Sequence, residues 1–244
     1  LDLYRSGSLA SKPNLSSKAI RLIDSIAPDR ELKRILEYRT QELIEYQNLS
    51  YAKEYISFVS TVYKKEQNLR SSSELSQNVA KYLFKLMATK DEYEVARLSL
   101  KAELDSAISQ EFGKSAKINY MLHPPFLKAM EDIPILNMLP GVKSKLALGS
   151  WFKVFYVILK NMKFLRGTPF DFMAWFSSDV RKADSKALNH YKSTITNNLD
   201  EIGNGKYQDL KSFSILPDII RGYEEVRLET MTEYYQKSEN IFKS

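Results

Sequence analysis

The stretch from Leu86 to Leu98 places a run of charged residues in the apolar stripe of a predicted helix. Apolar residues recur at helical spacing on either side of this run, and the same spacing carried through it reaches Lys90 and Arg97. Two cations therefore occupy positions where a helix normally presents core residues. The apolar members of the stripe are Leu75, Val79, Leu83, Leu86, Tyr93, Leu100 and Leu104.

Two arrangements can accommodate these cations, and the sequence leaves both open. Glu94 lies four residues after Lys90 and three before Arg97, where it can pair with either cation. Asp91 supplies a further carboxylate, and together these charges can form a buried ion network. Alternatively, the two long side chains lay their methylene stems on the core and keep their charged ends in water.

The composition limits the kinds of protein this chain can be. Its 244 residues are 43% hydrophobic, enough to bury a core as one domain or as two small ones. Cysteine is absent, which excludes disulfides, thiolate nucleophiles, zinc–thiolate sites and iron–sulfur ligation. The chain begins at Leu1 and contains neither a signal segment nor an apolar run that could span a bilayer. We therefore expect a globular, cytoplasmic fragment of a longer polypeptide.

The net charge of +6 is concentrated in one segment. No Asp or Glu occurs from Ile133 to Phe170, and the cations of this segment account for the whole excess. Such a patch can attract an acidic protein surface, a phosphate-bearing ligand or an anionic membrane, or it can be a solvated helix face. The cations are Lys143, Lys145, Lys153, Lys160, Lys163 and Arg166.

Helical patterns dominate the chain and strand-like alternation is scarce, which predicts an all-α fold. Residues 29–113 predict a long antiparallel helical hairpin, whose two helices are joined by a polar turn at residues 70–73. Asp29 is the predicted N-cap of the first helix, and Gly113 is the predicted end of the second.

The rest of the chain divides at its prolines. Residues 1–28 predict a linker with one short helix, and residues 114–144 predict a proline-rich crossover. Residues 145–244 predict a second helical cluster packed on the hairpin, although residues 29–244 could also form one domain. Within that cluster, the segment from Lys145 to Leu165 is apolar on nearly every side, which predicts a helix in the middle of a bundle.

Motifs that carry chemistry are not recognisable in this chain. The two histidines, His123 and His190, are far apart and neither has metal-ligand spacing. Glycine-rich phosphate motifs and the Gly-Asp-Gly element of a thiamine-diphosphate and magnesium site are absent. The aromatic residues among the lysines form a complete helical belt, which disfavours nucleic acid as a partner. We expect no catalytic, cofactor-binding or metal-binding residues here.

The corner from Arg166 to Asp171 is the second candidate element. Arg166 can bridge a carboxylate bidentately, Gly167 permits a turn, and Asp171 can cap the following helix. A corner locked by its own charges is the simpler interpretation, and ligand contact is the alternative. We expect the corner to meet the charged stretch. The expected ion network or interdomain contact consists of Lys90, Asp91, Glu94, Arg97, Arg166, Asp171 and Arg221.

Five pieces of the chain, taken in order, resemble one known family, the C-terminal domain of the single-chain indolepyruvate:ferredoxin oxidoreductases within the 2-oxoacid:ferredoxin oxidoreductases. Two stretches depart from the family pattern: Phe172–Ala174 replaces a Pro-Phe-Gly run, and Glu224–Arg227 replaces a Gly-His-Val-Lys run. The matching pieces are Leu86–Leu98, His123–Leu127, Gly149–Phe152, Leu165–Asp171 and Leu216–Tyr223.

The resemblance implies a role inside a larger enzyme. Such enzymes oxidatively decarboxylate aryl-pyruvates to an acyl-coenzyme A and pass electrons to ferredoxin, with thiamine diphosphate, magnesium and iron–sulfur clusters as cofactors. Since this chain lacks the motifs for those cofactors, we expect a non-catalytic scaffold or interdomain contact, whose partners are the parent enzyme's other domains and ferredoxin. One alternative is a helical binding module that docks an acidic protein partner through the basic segment 143–166. A free-standing helical regulator is another.

Overall fold

The computed structural model describes residues 15–113, 120–122, 146–148, 153–171, 173–174 and 178–242. The fold is all-α, as the sequence predicts. Two short strands, β1 (Tyr120–Leu122) and β2 (Leu146–Leu148), pair antiparallel with Tyr120 opposite Leu148. The helices are α1 (Ser17–Asp24), α2 (Arg30–Tyr46), α3 (Leu49–Leu69), α4 (Glu74–Met87), α5 (Glu92–Ser99), α6 (Ala102–Phe112), α7 (Lys153–Asn161), α8 (Ser178–Asn198), α9 (Tyr207–Ile215) and α10 (Glu224–Ile241).

The chain divides into two compact units. Unit 1 comprises residues 1–88 and 182–244, and unit 2 comprises residues 89–181. Short 3-10 segments directly follow three of the helices. These segments are Met162–Leu165 after α7, Leu199–Asn204 after α8 and Leu216–Asp218 after α9.

This division differs from the predicted domain boundaries. The predicted hairpin 29–113 is divided between the units after Ala88, and most of the predicted cluster 145–244 belongs to unit 1. The predicted second helix of the hairpin ends with α4 and does not continue to Gly113. In addition, α8, α9 and α10 contribute apolar side chains to the core of unit 1. Apart from β1, the predicted crossover 114–144 lies outside the described residues.

The first predicted long helix is two helices, α2 and α3. Asp29 caps α2 as predicted, because its carboxylate accepts a hydrogen bond from the backbone N–H of Glu31 (2.9 Å). Asn48 then caps α3 by accepting from the N–H of Tyr51 (2.9 Å). An asparagine satisfies a free N–H group better at an N-cap than inside a helix, so the chain restarts at this position.

α3 and α4 form the predicted antiparallel hairpin on either side of the turn at residues 70–73. The hydroxyl of Tyr55 in α3 donates to the carbonyl of Ala80 in α4 (2.8 Å). One turn earlier in α3, the hydroxyl of Tyr51 donates to the carbonyl of Met87 (2.9 Å). Earlier positions in α3 therefore contact later positions in α4, which defines antiparallel helices.

A buried carboxylate closes this hairpin. Glu66, near the end of α3, is fully buried, and its oxygens accept from the backbone N–H groups of Leu75 (3.0 Å) and Ser76 (2.9 Å). These N–H groups have no partner within α4, because they belong to its first turn. The hydroxyls of Ser76 (2.5 Å) and Tyr207 (2.8 Å) also donate to Glu66. Since Ser73 makes no side-chain cap bond, Glu66 caps α4 from the neighbouring helix.

The second predicted long helix is three helices, α4, α5 and α6. α4 ends before Lys90, and Asp91 starts α5 by accepting from the backbone N–H of Glu94 (2.9 Å). A further break at residues 100–101 separates α5 from α6, which ends at Gly113 as predicted. Gly113 has φ +83°, a conformation that favours glycine. The apolar stripe is consequently not one continuous helix.

Each unit has its own apolar core among the described residues. Unit 1 buries large side chains from α1 to α4 and from α8 to α10, including Leu36, Tyr55, Leu83, Tyr191, Phe213 and Tyr234. In unit 2, α5 packs against α7, and this smaller core consists of Tyr93, Ala96, Tyr156, Leu159 and Met173.

α7 is shorter and more exposed than the sequence predicts. The predicted helix from Lys145 to Leu165 contains β2 and then α7, in which Tyr156 and Leu159 are the buried residues. A position in the middle of a bundle is therefore wrong for the described part of this segment. The exposed valines and isoleucine of α7 are Val154 (68% exposed), Val157 (48%) and Ile158 (55%).

Replacing Glu66 by alanine leaves two backbone N–H groups of α4 buried without an acceptor. We expect Glu66→Ala to lower the free energy of unfolding by about 3 kcal/mol. Urea denaturation followed by far-ultraviolet circular dichroism measures this change. The matched control is Glu74→Ala, because Glu74 is a half-exposed glutamate that pairs with Lys211 at the surface; its loss should be about 0.5 kcal/mol or less. Equal losses in the two variants would contradict the conclusion that Glu66 caps α4.

Candidate functional site

Side chains from three segments of unit 2 meet in a partly buried cluster. The segments are the start of α5, the corner from Arg166 to Asp171, and the first turn of α8. Ion pairs and hydrogen bonds link them to one another. We define the charged cluster as Asp91, Glu92, Tyr93, Glu94, Arg97, Arg166, Asp171 and Arg181.

Asp91 joins α5 to the corner. Its Oδ1 accepts from the backbone N–H of Glu94, which caps the helix. Arg166 donates to both carboxylate oxygens, from Nε to Oδ2 (2.5 Å) and from Nη2 to Oδ1 (2.8 Å). The side chains of Asp91 and Arg166 are only 7% and 13% exposed. A bidentate pair of this kind fixes the orientation of the two groups as well as their distance.

Glu94 and Arg97 form a second bidentate pair within α5. Nε and Nη2 of Arg97 donate to the two carboxylate oxygens of Glu94, each at 2.8 Å. Both side chains are buried. The three-residue spacing places the two groups on one helix face, and the pair lets a guanidinium group enter the interior without an unpaired charge.

Asp171 holds the corner together from inside. It is buried, and its Oδ1 accepts from the hydroxyl of Tyr93 (2.9 Å). Its Oδ2 accepts from Nη1 of Arg181 (2.8 Å) and from the backbone N–H of Gly167 (3.1 Å). Gly167 has φ +75°, in the left-handed region, and this conformation turns its N–H toward the carboxylate.

Arg181 bridges two carboxylates. Its Nη2 donates to Glu92 (2.8 Å), while its Nη1 donates to Asp171. Burial raises the pKa of Glu92 above its ordinary value, and the pairing with Arg181 offsets only part of this rise.

Tyr93 lies between the charged groups and the apolar core. The guanidinium carbons of Arg166 and Arg181 lie over its ring, 5.5 and 6.0 Å from the ring centre. Burial and the hydrogen bond to Asp171 raise the pKa of the Tyr93 hydroxyl, which therefore remains a donor at neutral pH. The same ring packs into the core with α7, so the ion pairs and the apolar contacts stabilise one another.

The geometry of the charged cluster favours a structural role. Each of its four carboxylates accepts a hydrogen bond from an arginine of the cluster. A general base or a nucleophile needs a lone pair directed at a reacting atom, whereas these lone pairs are directed at guanidinium and backbone N–H groups. Within the described residues, no group of three or more His, Asp or Glu is arranged to hold a metal ion.

Five of the seven predicted site residues meet in the charged cluster, and two do not. Lys90 is exposed, in the break between α4 and α5, because the helix that was expected to bury it does not continue through this position. Arg221 lies in unit 1, where it is exposed and pairs with Asp218, three residues earlier (2.7 Å). The residues brought together are Asp91, Glu94, Arg97, Arg166 and Asp171.

Three members of the cluster were missing from the predicted network. Tyr93 belongs to the apolar stripe, and the stripe alone does not reveal that its hydroxyl reaches Asp171. Glu92 and Arg181 are 89 positions apart, and no local spacing links them. The sequence contains one indication for Arg181, because this cation follows Asp171 by ten residues and can therefore return to the corner.

The histidines and the basic segment do not contribute to the charged cluster in the part of the chain that the structure describes, apart from Arg166. Nδ1 of His190 lies 3.0 Å from the hydroxyl of Tyr234, and burial lowers the pKa of this histidine. His123 lies outside the described residues, as do Lys143 and Lys145 of the basic segment. No helix in the described part of the chain combines the length and the hydrophobicity needed to cross a bilayer.

The fold and the charged cluster define an all-α domain in which arginine–carboxylate pairs lock a helix to a corner. The chain belongs to a family of unknown function, DUF6537, whose model matches residues 32–240. The matched range includes every residue of the charged cluster. Comparisons with curated proteins and with solved structures gave no match.

Arg166→Ala removes one partner of a nearly buried bidentate pair and leaves Asp91 with only a more distant guanidinium, since Nη1 of Arg181 lies 3.9 Å from its Oδ2. We expect the free energy of unfolding of unit 2 to fall by about 3 kcal/mol. Both tryptophans of the chain, Trp151 and Trp175, fall within the sequence range 89–181, so urea denaturation followed by tryptophan fluorescence measures this loss.

The matched control for this prediction is Arg34→Ala. Arg34 also makes a bidentate pair, with Glu31, but its side chain is 70% exposed. Because solvent screens an exposed pair, we expect a loss of about 0.5 kcal/mol or less, measured by circular dichroism. A loss for Arg166→Ala no larger than that for Arg34→Ala would show that burial of the cluster does not matter.

Proposed function

We propose that this chain is the non-catalytic C-terminal helical domain of an indolepyruvate or 2-oxoacid:ferredoxin oxidoreductase, where it acts as a scaffold or interdomain contact. The observation that carries the proposal is the position of the charged cluster. Two of the pieces that resemble this enzyme family, Leu86–Leu98 and Leu165–Asp171, are joined by the pairs Asp91–Arg166 and Tyr93–Asp171. Motif residues that bind one another in this way support a structural role for the motifs.

In this proposal, the chemistry belongs to other parts of the parent enzyme. That enzyme decarboxylates aryl-pyruvates oxidatively to acyl-coenzyme A, in the cytoplasm, with thiamine diphosphate, magnesium and iron–sulfur clusters. This chain has no cysteine to ligate a cluster and no Gly-Asp-Gly element for thiamine diphosphate. The carboxylates of the charged cluster are engaged with arginines, so they are poorly placed to move a proton.

The isolated chain should therefore not catalyse the oxidation of indolepyruvate. We expect no indolepyruvate-dependent reduction of a redox dye when thiamine diphosphate, magnesium and coenzyme A are added, because no residue here supplies the electron path. Dye absorbance measures the rate, and an intact indolepyruvate:ferredoxin oxidoreductase serves as the positive control. Reduction by the isolated chain above the rate without protein contradicts the non-catalytic assignment.

A second candidate function is a helical binding module that docks an acidic protein partner, such as ferredoxin, through the basic segment 143–166. The segment from Ile133 to Phe170 contains no carboxylate, and it accounts for the positive net charge of the chain. In the described part of the segment, Lys160 is exposed on α7 beside exposed apolar residues. An acidic surface would be attracted to such a segment over about the Debye length.

Association with ferredoxin tests this candidate. We expect binding, measured by isothermal titration calorimetry, that weakens as salt rises from about 50 to about 500 mM. Lys160→Glu should weaken it, whereas Lys64→Glu, a change at an exposed lysine of α3 in unit 1, should not. Absent or salt-insensitive binding counts against the candidate.

A further inference from the structure

A groove lies between α3 and α8, within unit 1. Its volume is about 570 Å³, which falls within the range of about 300 to 1,000 Å³ that is usual for small-molecule sites. The charged cluster shares no residue with this groove. We define the α3–α8 groove as the space lined by residues 50–62 of α3 and residues 192–199 at the end of α8.

The two helices run parallel along the α3–α8 groove. Nζ of Lys65, late in α3, lies 2.6 Å from Oδ1 of Asp200, just beyond the end of α8. The groove residues of α3 all precede Lys65, and those of the other wall all precede Asp200, as parallel helices require. Because both helices advance by about 1.5 Å per residue, Ser57 and Lys192, each eight positions before this pair, lie at about the same level.

One half of the α3–α8 groove has an apolar floor. Val62, Ile195 and Leu199 are buried at its base, and Phe58 is partly buried beside them. An apolar group that displaces water from such a surface gains free energy in proportion to the area that it covers. This half of the groove therefore fits a ring or a short alkyl chain.

The other half of the α3–α8 groove is cationic. Lys53 and Lys192 precede the floor residues of their own walls, and helical side chains lean toward the helix N-terminus, so the two ammonium groups lie at the same end of the groove. Within the described residues, neither lysine has an ion pair and the hydroxyl of Ser57 has no hydrogen bond. Glu54 is the single carboxylate among the described residues of the groove, so two cations and one anion leave one positive charge.

We propose that the α3–α8 groove binds a small amphiphilic carboxylate, with its anionic group between Lys53 and Lys192 and its apolar body on the floor. Ammonium groups donate charge-assisted hydrogen bonds to a carboxylate, and the Ser57 hydroxyl can donate a further one. The ligand supplies the counter-charge that these lysines do not receive from the described chain. This binding role goes beyond the scaffold role and requires no catalysis.

A helix of a partner protein, or of a second copy of this chain, fits the α3–α8 groove less well. Thr61 and Thr196 are exposed on its two rims, on either side of the floor. A helix is about 10 Å across with its side chains, so one that reached the floor would also bury both rims against its apolar stripe. A single ring or alkyl chain lies between the rims and leaves these hydroxyls in water.

Isothermal titration calorimetry with two carboxylates tests the proposal. 2-Naphthylacetate carries an aromatic body and octanoate carries an alkyl chain, so the tighter binder identifies the source of the ligand as an aromatic acid or a fatty acid. We expect saturable binding of at least one of them, with one site per chain. The uncharged amides of the same two acids should bind at least about tenfold more weakly, because they form no charge-assisted hydrogen bond with the lysines.

Charge variants locate the anionic group. Lys53→Glu with Lys192→Glu should weaken binding at least about tenfold. The charge-matched control is Lys18→Glu with Lys64→Glu, at exposed lysines of α1 and α3 outside the groove, and it should bind like the parent chain. Glu54→Gln should tighten binding about twofold, because it removes a like charge beside the carboxylate.

A bulky side chain at Thr61 locates the apolar body. Thr61→Phe fills the apolar half of the groove and leaves both lysines in place, so it should weaken binding at least about tenfold. Thr232→Phe is the matched control, because Thr232 is exposed on α10, and it should leave binding unchanged. Circular dichroism spectra and melting temperatures establish that each variant is folded.

Several outcomes overturn the proposal. They are no saturable binding of either acid, equal binding of the amides, equal weakening by the two double lysine variants, weaker binding of Glu54→Gln, and equal binding by the two Thr→Phe variants. If neither acid binds, two further measurements reassign the groove. A dimer in sedimentation equilibrium that Thr61→Phe dissociates assigns it to a second copy, and calorimetric binding of a helical peptide of leucine and glutamate assigns it to a protein partner.

Discussion

The bidentate pair between Asp91 and Arg166 is the interaction on which unit 2 depends. Asp91 starts α5 by capping it and, through the same carboxylate, holds the corner that follows α7. Because the pair is nearly buried, neither charge can be removed without leaving the other poorly solvated. Tyr93 and Asp171 extend the contact into the apolar core and the first turn of α8.

Periodicity and charge spacing predicted the fold class, the α3–α4 hairpin and most of the residues of the charged cluster. Arg97 and Glu94 are three residues apart, and that local spacing is visible in a sequence. The prediction that Lys90 is buried was wrong because the helix does not continue through it. Asp91 accepts from a free backbone N–H group and starts a new helix, and an apolar stripe does not show that a side chain competes with the helix in this way. Arg181 and Tyr207 act on residues far away along the chain, and single-sequence patterns contain no such distances.

α7 shows a different limit of sequence reasoning. Its composition predicts burial on every side, yet only Tyr156 and Leu159 are buried in α7, and valines and an isoleucine face outward. An apolar sequence indicates that a helix has apolar partners, but it does not say that those partners belong to the same chain. The acid-free run around α7 can draw its carboxylates from other parts of the same chain, as the pair between Asp91 and Arg166 does.

A double-mutant cycle between Asp91 and Arg166 tests the central claim most directly. The free energies of unfolding of Asp91→Ala, Arg166→Ala, the double variant and the parent chain are measured in urea by tryptophan fluorescence, so that the separate contribution of the helix cap cancels. The account predicts a coupling energy of about 2 kcal/mol or more, because the pair is bidentate and nearly buried. A coupling energy below about 0.5 kcal/mol, the value of a surface pair, would contradict it.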